Sequence, residues 1–130
     1  MNNTIKVIVL EPNTEARIEE IEHTLENLQR IVGGYIEAYY PFPEDVCIVC
    51  NDEGKINGME LNRAIYSDAG KLLDIIAGPC LICGCSDEDF DSLSDEQCEQ
   101  YLMRFRYPEC FMWTANGIVA IPYSPRKESV

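Results

Sequence analysis

Cysteines are the residues of this chain with the most distinctive chemistry, and seven are present. Two CxxC pairs, Cys47–Cys50 and Cys80–Cys83, could together supply four thiolates to one tetrahedral zinc ion. The first pair, however, lies in an apolar run typical of a strand, where residues three apart face opposite sides. We therefore predict buried, reduced, metal-free thiols. The alternative is a zinc-binding structural module with Cys47, Cys50, Cys80 and Cys83 as ligands.

Redox and histidine chemistry have weaker support in the sequence. Neither CxxC pair precedes a helical pattern, whereas redox-active pairs sit at a helix N-terminus that lowers the thiolate pKa. An odd number of cysteines without an export signal also argues against a disulfide framework. His23 is the only histidine, so a two-histidine metal site cannot form. We expect no cofactor.

The most site-like polar residues are Asn51, Asn62 and Arg63. An arginine with two amides can hold a carboxylate, a phosphate or a nucleotide edge. The simpler alternative is that the asparagines satisfy loop backbone and the arginine pairs with a surface acid. We predict a ligand-binding surface formed by Glu37, Asn51, Asn62 and Arg63, without a catalytic residue.

Four acids lie near predicted strand ends: Glu37, Asp52, Glu53 and Asp74. Paired carboxylates can perform acid–base catalysis or bind magnesium. Asp52-Glu53-Gly54 is more simply a turn, in which Gly54 supplies a positive φ. No dinucleotide-binding, Walker, nucleophile-elbow or zinc-protease motif occurs in the sequence, which favours a protein without enzymatic activity.

Composition sets the class of protein. The 130 residues are 46% hydrophobic and 25% charged, as in an ordinary globule, and carry a net charge of −13. Such acidity argues against direct binding to nucleic acid, which needs a basic face, so we expect no nucleic-acid partner. No run of residues resembles a signal peptide or membrane span, so we expect a cytoplasmic protein. We predict one domain over residues 1–123 and a flexible tail over 124–130.

An acidic segment, Ser86–Glu99, carries seven acids and no base. It could be a docking segment in which acids surround Phe90 and Leu93. We favour a solvated loop whose two apolar residues pack at a helix start.

Periodicity predicts an α+β fold. Strand patterns occur at Ile5–Leu10, Arg17–Ile21, Tyr35–Tyr40 and Val46–Cys50, and Leu72–Cys83 is predicted as a strand broken or bulged at Gly78-Pro79. Helices are predicted near Leu25–Val32, capped by Thr24 and Gly33, and from a capping box at Ser94 to Phe105. Asn116-Gly117 indicates a final hairpin. The expected architecture is a mostly antiparallel sheet with two main helices packed on it.

Several phrases occur in an order that resembles a known family. They are Val32-Gly33-Gly34-Tyr35-Ile36-Glu37, Asn51-Asp52-Glu53-Gly54-Lys55, Asn62-Arg63-Ala64, Asp74-Ile75-Ile76-Ala77-Gly78 and Asp89-Phe90-Asp91-Ser92-Leu93-Ser94. Together they are similar to the small bacterial and phage family called domain of unknown function 3846. The resemblance implies a protein of a gut bacterium, phage or mobile element, and it supports the strand at Arg17–Ile21. It implies no activity, substrate or catalytic residue.

Two function classes follow from these observations. The first is a non-catalytic binding or regulatory protein of a phage or mobile element, acting on a host protein or a small ligand. The second is an acidic nucleic-acid mimic that inhibits a DNA-binding host protein; it should place carboxylates along one face at phosphate-like spacing. The sequence does not indicate an oligomeric state.

Overall fold

A computed structural model gives the fold, and it describes residues 3–86 and 89–125. Within these ranges the chain forms two helices and ten strands, and its strand pairings are antiparallel. No helix there is long and apolar enough to cross a bilayer. The elements are β1 (Thr4–Leu10), β2 (Arg17–Glu22), α1 (Leu25–Val32), β3 (Ile36–Tyr39), β4 (Val46–Asn51), β5 (Leu61–Tyr66), β6 (Leu72–Ala77), β7 (Cys80–Ser86), β8 (Asp89–Asp91), α2 (Asp95–Arg104), β9 (Glu109–Thr114) and β10 (Gly117–Pro122).

A six-stranded sheet forms the centre of the molecule, in the order β2-β1-β7-β4-β3, with β8 paired to the end of β7. Ile82 of β7 lies opposite Ile8 of β1 on one side and Ile48 of β4 on the other. These three inner strands are apolar on both faces because both faces are covered, as expected for runs of continuous hydrophobicity. The predicted central strand at Val46–Cys50 is confirmed.

One face of this sheet, here called the α1 face, is covered by helix α1. Leu28 and Val32 of the helix are buried there against alternate residues of the inner strands. Thr24 caps the helix by accepting a hydrogen bond from Asn27 N at 3.1 Å. Gly33 ends it in the left-handed conformation, with φ 80°. The predicted helix and both caps are therefore confirmed.

The opposite face, here called the α2 face, is covered by helix α2 and the β5–β6 hairpin. Tyr101 and Phe105 from the helix, and Ile65 and Ile76 from the hairpin, are buried against it. The predicted capping box at Ser94 is present, with Ser94 Oγ accepting from Gln97 N at 3.1 Å. This face holds the larger core because two elements cover it.

Strands β6 and β7 belong to different sheets, although they follow each other in sequence. Gly78, with φ 85°, turns the chain between them, and a Cβ there would lie 2.6 Å from Met59 Sδ. The predicted break at Gly78-Pro79 is thus confirmed, and its cause is a change of sheet. Strands β9 and β10 form a third, two-stranded sheet.

The fold is α+β with antiparallel sheets, as predicted, although the strands divide among three sheets instead of one. The single domain over residues 1–123 stays a prediction. Of the predicted flexible tail at 124–130, residues 126–130 lie outside the described ranges.

The loop before β4 is joined to α2 by the carboxylate of Glu44. It accepts hydrogen bonds from Tyr101 Oη at 2.7 Å, Gln97 Nε2 at 3.2 Å and Gln100 Nε2 at 3.4 Å. The hydrogen bond from Tyr101, more than those from the two amides, lowers the pKa of Glu44. The ionised carboxylate is therefore favoured by the folded state.

We expect Glu44→Gln to destabilise the fold at about pH 7 by less than about 1 kcal/mol, because Glu44 is largely exposed. The pKa of Glu44 is lower in the folded state than in the unfolded state. The stabilisation by the carboxylate is therefore fully present above the unfolded-state pKa, and it is lost as the pH falls through the folded-state pKa. Urea unfolding at about pH 7 and about pH 3 should show the difference disappearing in acid. Glu99→Gln, which removes an exposed carboxylate from α2, is the control. An equal Glu44→Gln penalty at both pH values would contradict this prediction.

Candidate functional site

A pocket of about 240 Å³ lies at the end of the central sheet, where β3, β4 and β6 meet the turn after β4. The structure brings together here the four acids that lie apart in the sequence, Glu37, Asp52, Glu53 and Asp74. Lys55 lies among them, and Cys50, Ile75, Ile76 and Ala77 provide apolar lining. We call this cavity the acidic pocket.

The turn that carries Asp52 and Glu53 is held by Asn51. Asn51 Oδ1 accepts from Glu53 N at 2.8 Å, and its Nδ2 donates to Val32 O at the end of α1, at 3.2 Å. Gly54 lies so close to β6 that a Cβ would be 2.5 Å from Ala77 O. The expected positive φ at Gly54 is wrong, because the described positive-φ glycine of this turn is Gly58. Gly54 is needed for close approach instead.

The chemistry of the acidic pocket favours a cation. Lys55 Nζ pairs with Asp74 Oδ1 at 2.6 Å, which leaves the carboxylates of Glu37, Asp52 and Glu53 around the same opening. Burial, with help from Glu37 and Asp74, raises the pKa of Cys50 to about 11. The thiol at the pocket floor is therefore protonated at neutral pH and a poor nucleophile.

An apolar groove of about 370 Å³ adjoins the acidic pocket. It runs between the β5–β6 hairpin and the β9–β10 hairpin and shares Lys55, Asp74 and Ile75 with the pocket. Trp113, the only tryptophan of the chain, forms part of its wall and is 81% exposed. The remaining lining residues are Leu61, Leu72, Leu73 and Ile118. We call the pocket and the groove together the joint site.

The β9–β10 hairpin is held against β5 by Glu109. Its Oε1 accepts from Ala64 N at 2.8 Å, and Trp113 lies directly opposite Ile118 in the hairpin register. The sequence predicts the hairpin but not its contact with β5. The sequence does contain a signal for such a contact: apolar residues occupy successive positions of both strands. Such runs are typical of strands that are covered on both faces.

The other two residues of the predicted binding surface lie in the interior. Asn62 and Arg63 are both 0% exposed. Asn62 Nδ2 donates to Leu10 O at 3.0 Å and Gly78 O at 2.8 Å. Its Oδ1 accepts from Arg63 Nη1 at 2.9 Å. These bonds connect β5 to the ends of β1 and β6.

The guanidinium of Arg63 is satisfied by main-chain carbonyls. Nε donates to Phe105 O at 3.2 Å, and Nη2 donates to Thr14 O at 2.8 Å. Burial lowers the pKa of Arg63, against the opposing effect of nearby Glu109. The structure therefore separates the four predicted residues. Glu37 and Asn51 lie at the acidic pocket, whereas Asn62 and Arg63 lie in the core.

The cysteines of the two CxxC pairs are also separated. Cys47 and Cys83 lie on the α1 face, with their sulfurs 3.9 Å apart, and Cys50 and Cys80 lie on the α2 face. This geometry does not bring the four thiols to one ion, so it does not support the zinc alternative. Residues 3–86 and 89–125 contain no group of three or more His, Cys, Asp or Glu placed to hold a metal ion.

The acidic segment divides its apolar residues between the two cores. Leu93 is 3% exposed in the α2-face core beside α2, and Phe90 packs at the α1-face core. Asp87 and Glu88 lie outside the described ranges. His23 Nε2 lies 2.9 Å from Asp89 Oδ1, and its side chain is 14% exposed. His23 thus contacts this segment and does not line the joint site.

Comparison with known proteins identifies the family. The family model described as domain of unknown function DUF3846 matches residues 5–106, so the chain belongs to this family. The match ends before β9, which places the β9–β10 hairpin and Trp113 outside it. No curated protein and no solved structure matches the chain.

We expect Arg63→Ala to lower the free energy of unfolding by about 3–5 kcal/mol, because it leaves buried carbonyl groups without donors. Arg63→Lys should lose less, since it keeps the charge but not the planar fork. Denaturant unfolding measures both effects. Arg30→Ala, at an exposed helical position, should change stability by about 0.5 kcal/mol or less. A stable Arg63→Ala protein would show that Arg63 is not a structural residue.

Proposed function

We propose that this member of the DUF3846 family is a non-catalytic binding protein whose joint site captures a basic segment of another protein. The observation that carries the proposal is the sharing of Lys55, Asp74 and Ile75 by the acidic pocket and the apolar groove. One ligand can therefore contact both. A segment with lysine or arginine beside an apolar side chain has the matching chemistry.

The apolar groove would supply most of the affinity. Trp113 presents a large aromatic surface next to Leu72 and Leu73, which are also exposed. Exposed aromatic residues in concave apolar surroundings are the usual energetic centres of interfaces. A side chain placed against Trp113 would remove several apolar groups from water at once.

The acidic pocket would supply selectivity. Carboxylates around an interface discriminate by charge and speed association more than they add affinity. A net charge of −13 extends this preference over the approach of the partner. The same charge disfavours nucleic acid as a direct ligand.

The family resemblance supports the biological setting that we propose. We place the protein in the cytoplasm as a regulatory protein of a phage or mobile element, acting on a host protein. A small organic cation is the alternative ligand, because the acidic pocket alone could hold it. An acidic nucleic-acid mimic is the other alternative; its contacts would depend on charges distributed over the surface and not on the apolar groove.

We expect a labelled ten-residue peptide containing leucine and several lysines to bind with an affinity that falls as salt rises. Fluorescence anisotropy of the peptide measures binding, and the emission of Trp113 reports directly on the groove. Trp113→Ala should weaken binding by about tenfold or more. A peptide with leucine and no lysine should bind more weakly.

Charge-matched variants test the site against the alternatives. Glu37→Gln with Glu53→Gln should weaken peptide binding and reduce its salt dependence. Glu20→Gln with Glu99→Gln removes the same charge from exposed positions elsewhere and should have little effect. Equal losses from both pairs, with no effect of Trp113→Ala, would favour the mimic. Sensitivity to Glu37 and Glu53 without sensitivity to Trp113 would favour a small-cation site.

A further inference from the structure

Three thiols meet on the α1 face of the central sheet, away from the joint site. Cys47 of β4 lies directly opposite Cys83 of β7, and their sulfurs are 3.9 Å apart. Cys85, two residues further along β7, faces the same side of the sheet, packs against the same core, and is among the groups that lower the pKa of Cys47. We call these residues the thiol cluster.

The geometry is suitable for a disulfide between Cys47 and Cys83. Directly opposed residues of antiparallel strands have Cα atoms about 4.5–5.5 Å apart, which is within the range that disulfides bridge. The two sulfurs, which lie 3.9 Å apart, would have to approach to about 2.0 Å to form the bond. Both thiols are 0% exposed, so an oxidant needs a point of entry.

Cys85 provides that entry. It is half-buried at the rim of the core, whereas Cys47 and Cys83 lie inside it. Hydrogen bonds from Cys83 and then from Cys85 lower the pKa of Cys47, so the middle thiol of the cluster has the greatest thiolate character. Burial raises the pKa of Cys85 to about 11, which makes the entry step slow at neutral pH.

We propose that the thiol cluster is a redox modification site, in which a hydroperoxide oxidises Cys85 and the oxidation passes through Cys47 to a Cys47–Cys83 disulfide. The Cys85 thiolate attacks the peroxide, the O–O bond breaks, and water leaves as a sulfenic acid forms. Cys47 displaces a second water and forms a Cys47–Cys85 bond. Cys83 then attacks Cys47, and Cys85 is released as a thiol. Two thiols lose two electrons and two protons in total, and hydrogen peroxide takes them up to give two waters.

The other four cysteines provide internal comparisons. Cys50 and Cys80 lie in the core of the opposite face, and burial raises the pKa of Cys80. Cys98 lies in that core as well, on α2. Cys110 is exposed on β9 and can react without any partner in the fold, so the experiment uses a Cys110→Ser background.

The test treats the folded Cys110→Ser protein with hydrogen peroxide, alkylates the remaining thiols, and maps the products by mass spectrometry. We expect a Cys47–Cys83 disulfide that dithiothreitol reverses. Cys50 and Cys80 should remain free thiols, which are detected by alkylation once the oxidised protein has been unfolded. Cys85→Ala should slow disulfide formation by about tenfold or more, since the buried pair loses its entry thiol. Cys50→Ala, a matched change in the opposite core, should leave the rate unchanged.

A second variant and a second condition distinguish oxidation in the folded protein from oxidation caused by unfolding. Cys83→Ala should stop the sequence at a Cys47–Cys85 disulfide. If Cys85→Ala does not slow the reaction, and the rate in all variants rises with urea in parallel with unfolding, the thiols are oxidised only in the unfolded chain and the proposal is overturned. Persistence of free Cys47 and Cys83 under peroxide would also overturn it.

Discussion

The arrangement of the elements depends on a buried guanidinium, that of Arg63, which forms no salt bridge with any carboxylate in residues 3–86 and 89–125. Arg63 and its neighbour Asn62 donate to carbonyls at Leu10, Thr14, Gly78 and Phe105, which belong to four separate parts of the chain. A buried charge is tolerated only where its hydrogen bonds are satisfied, so each of these segments must keep its place. The pair thereby fixes the β5–β6 hairpin relative to the central sheet and α2.

The same constraint reaches the surface through the next residue. Ala64 N donates to the half-buried Glu109. Burial raises the pKa of Glu109, and the hydrogen bond from Ala64 and the charge of Arg63 oppose this rise only in part. Glu109 begins β9, and Trp113 is on the same strand. The position of the apolar groove is therefore linked to the core by a short chain of contacts. The β9–β10 hairpin, which lies outside the residues matched by the family model, is thus positioned by residues within them.

The sequence predicted what depends on local patterns, and it failed where distant segments meet. Hydrophobic pattern predicted strand β1, and the hydroxyl and glycine caps predicted the ends of α1, because these signals lie within a few residues. Arg63 looked like a ligand-binding residue because it has polar neighbours in sequence. Its burial depends on the carbonyls of Thr14 and Phe105, which lie far from it in sequence, and no local pattern records them. The convergence of Glu37, Asp52, Glu53 and Asp74 was missed for the same reason.

The distribution of cations explains why the joint site stays acidic. The chain has ten lysines and arginines against twenty-three aspartates and glutamates. Arg63 is used inside the protein on carbonyls, and Lys6, Arg17 and Arg106 pair with carboxylates away from the pocket. Among the residues that the structure describes, Lys55 is the one base that lines the acidic pocket, and it is already paired with Asp74. The carboxylates of Glu37, Asp52 and Glu53 form no ion pair within the described part of the chain, so they would be available to the basic segment proposed above.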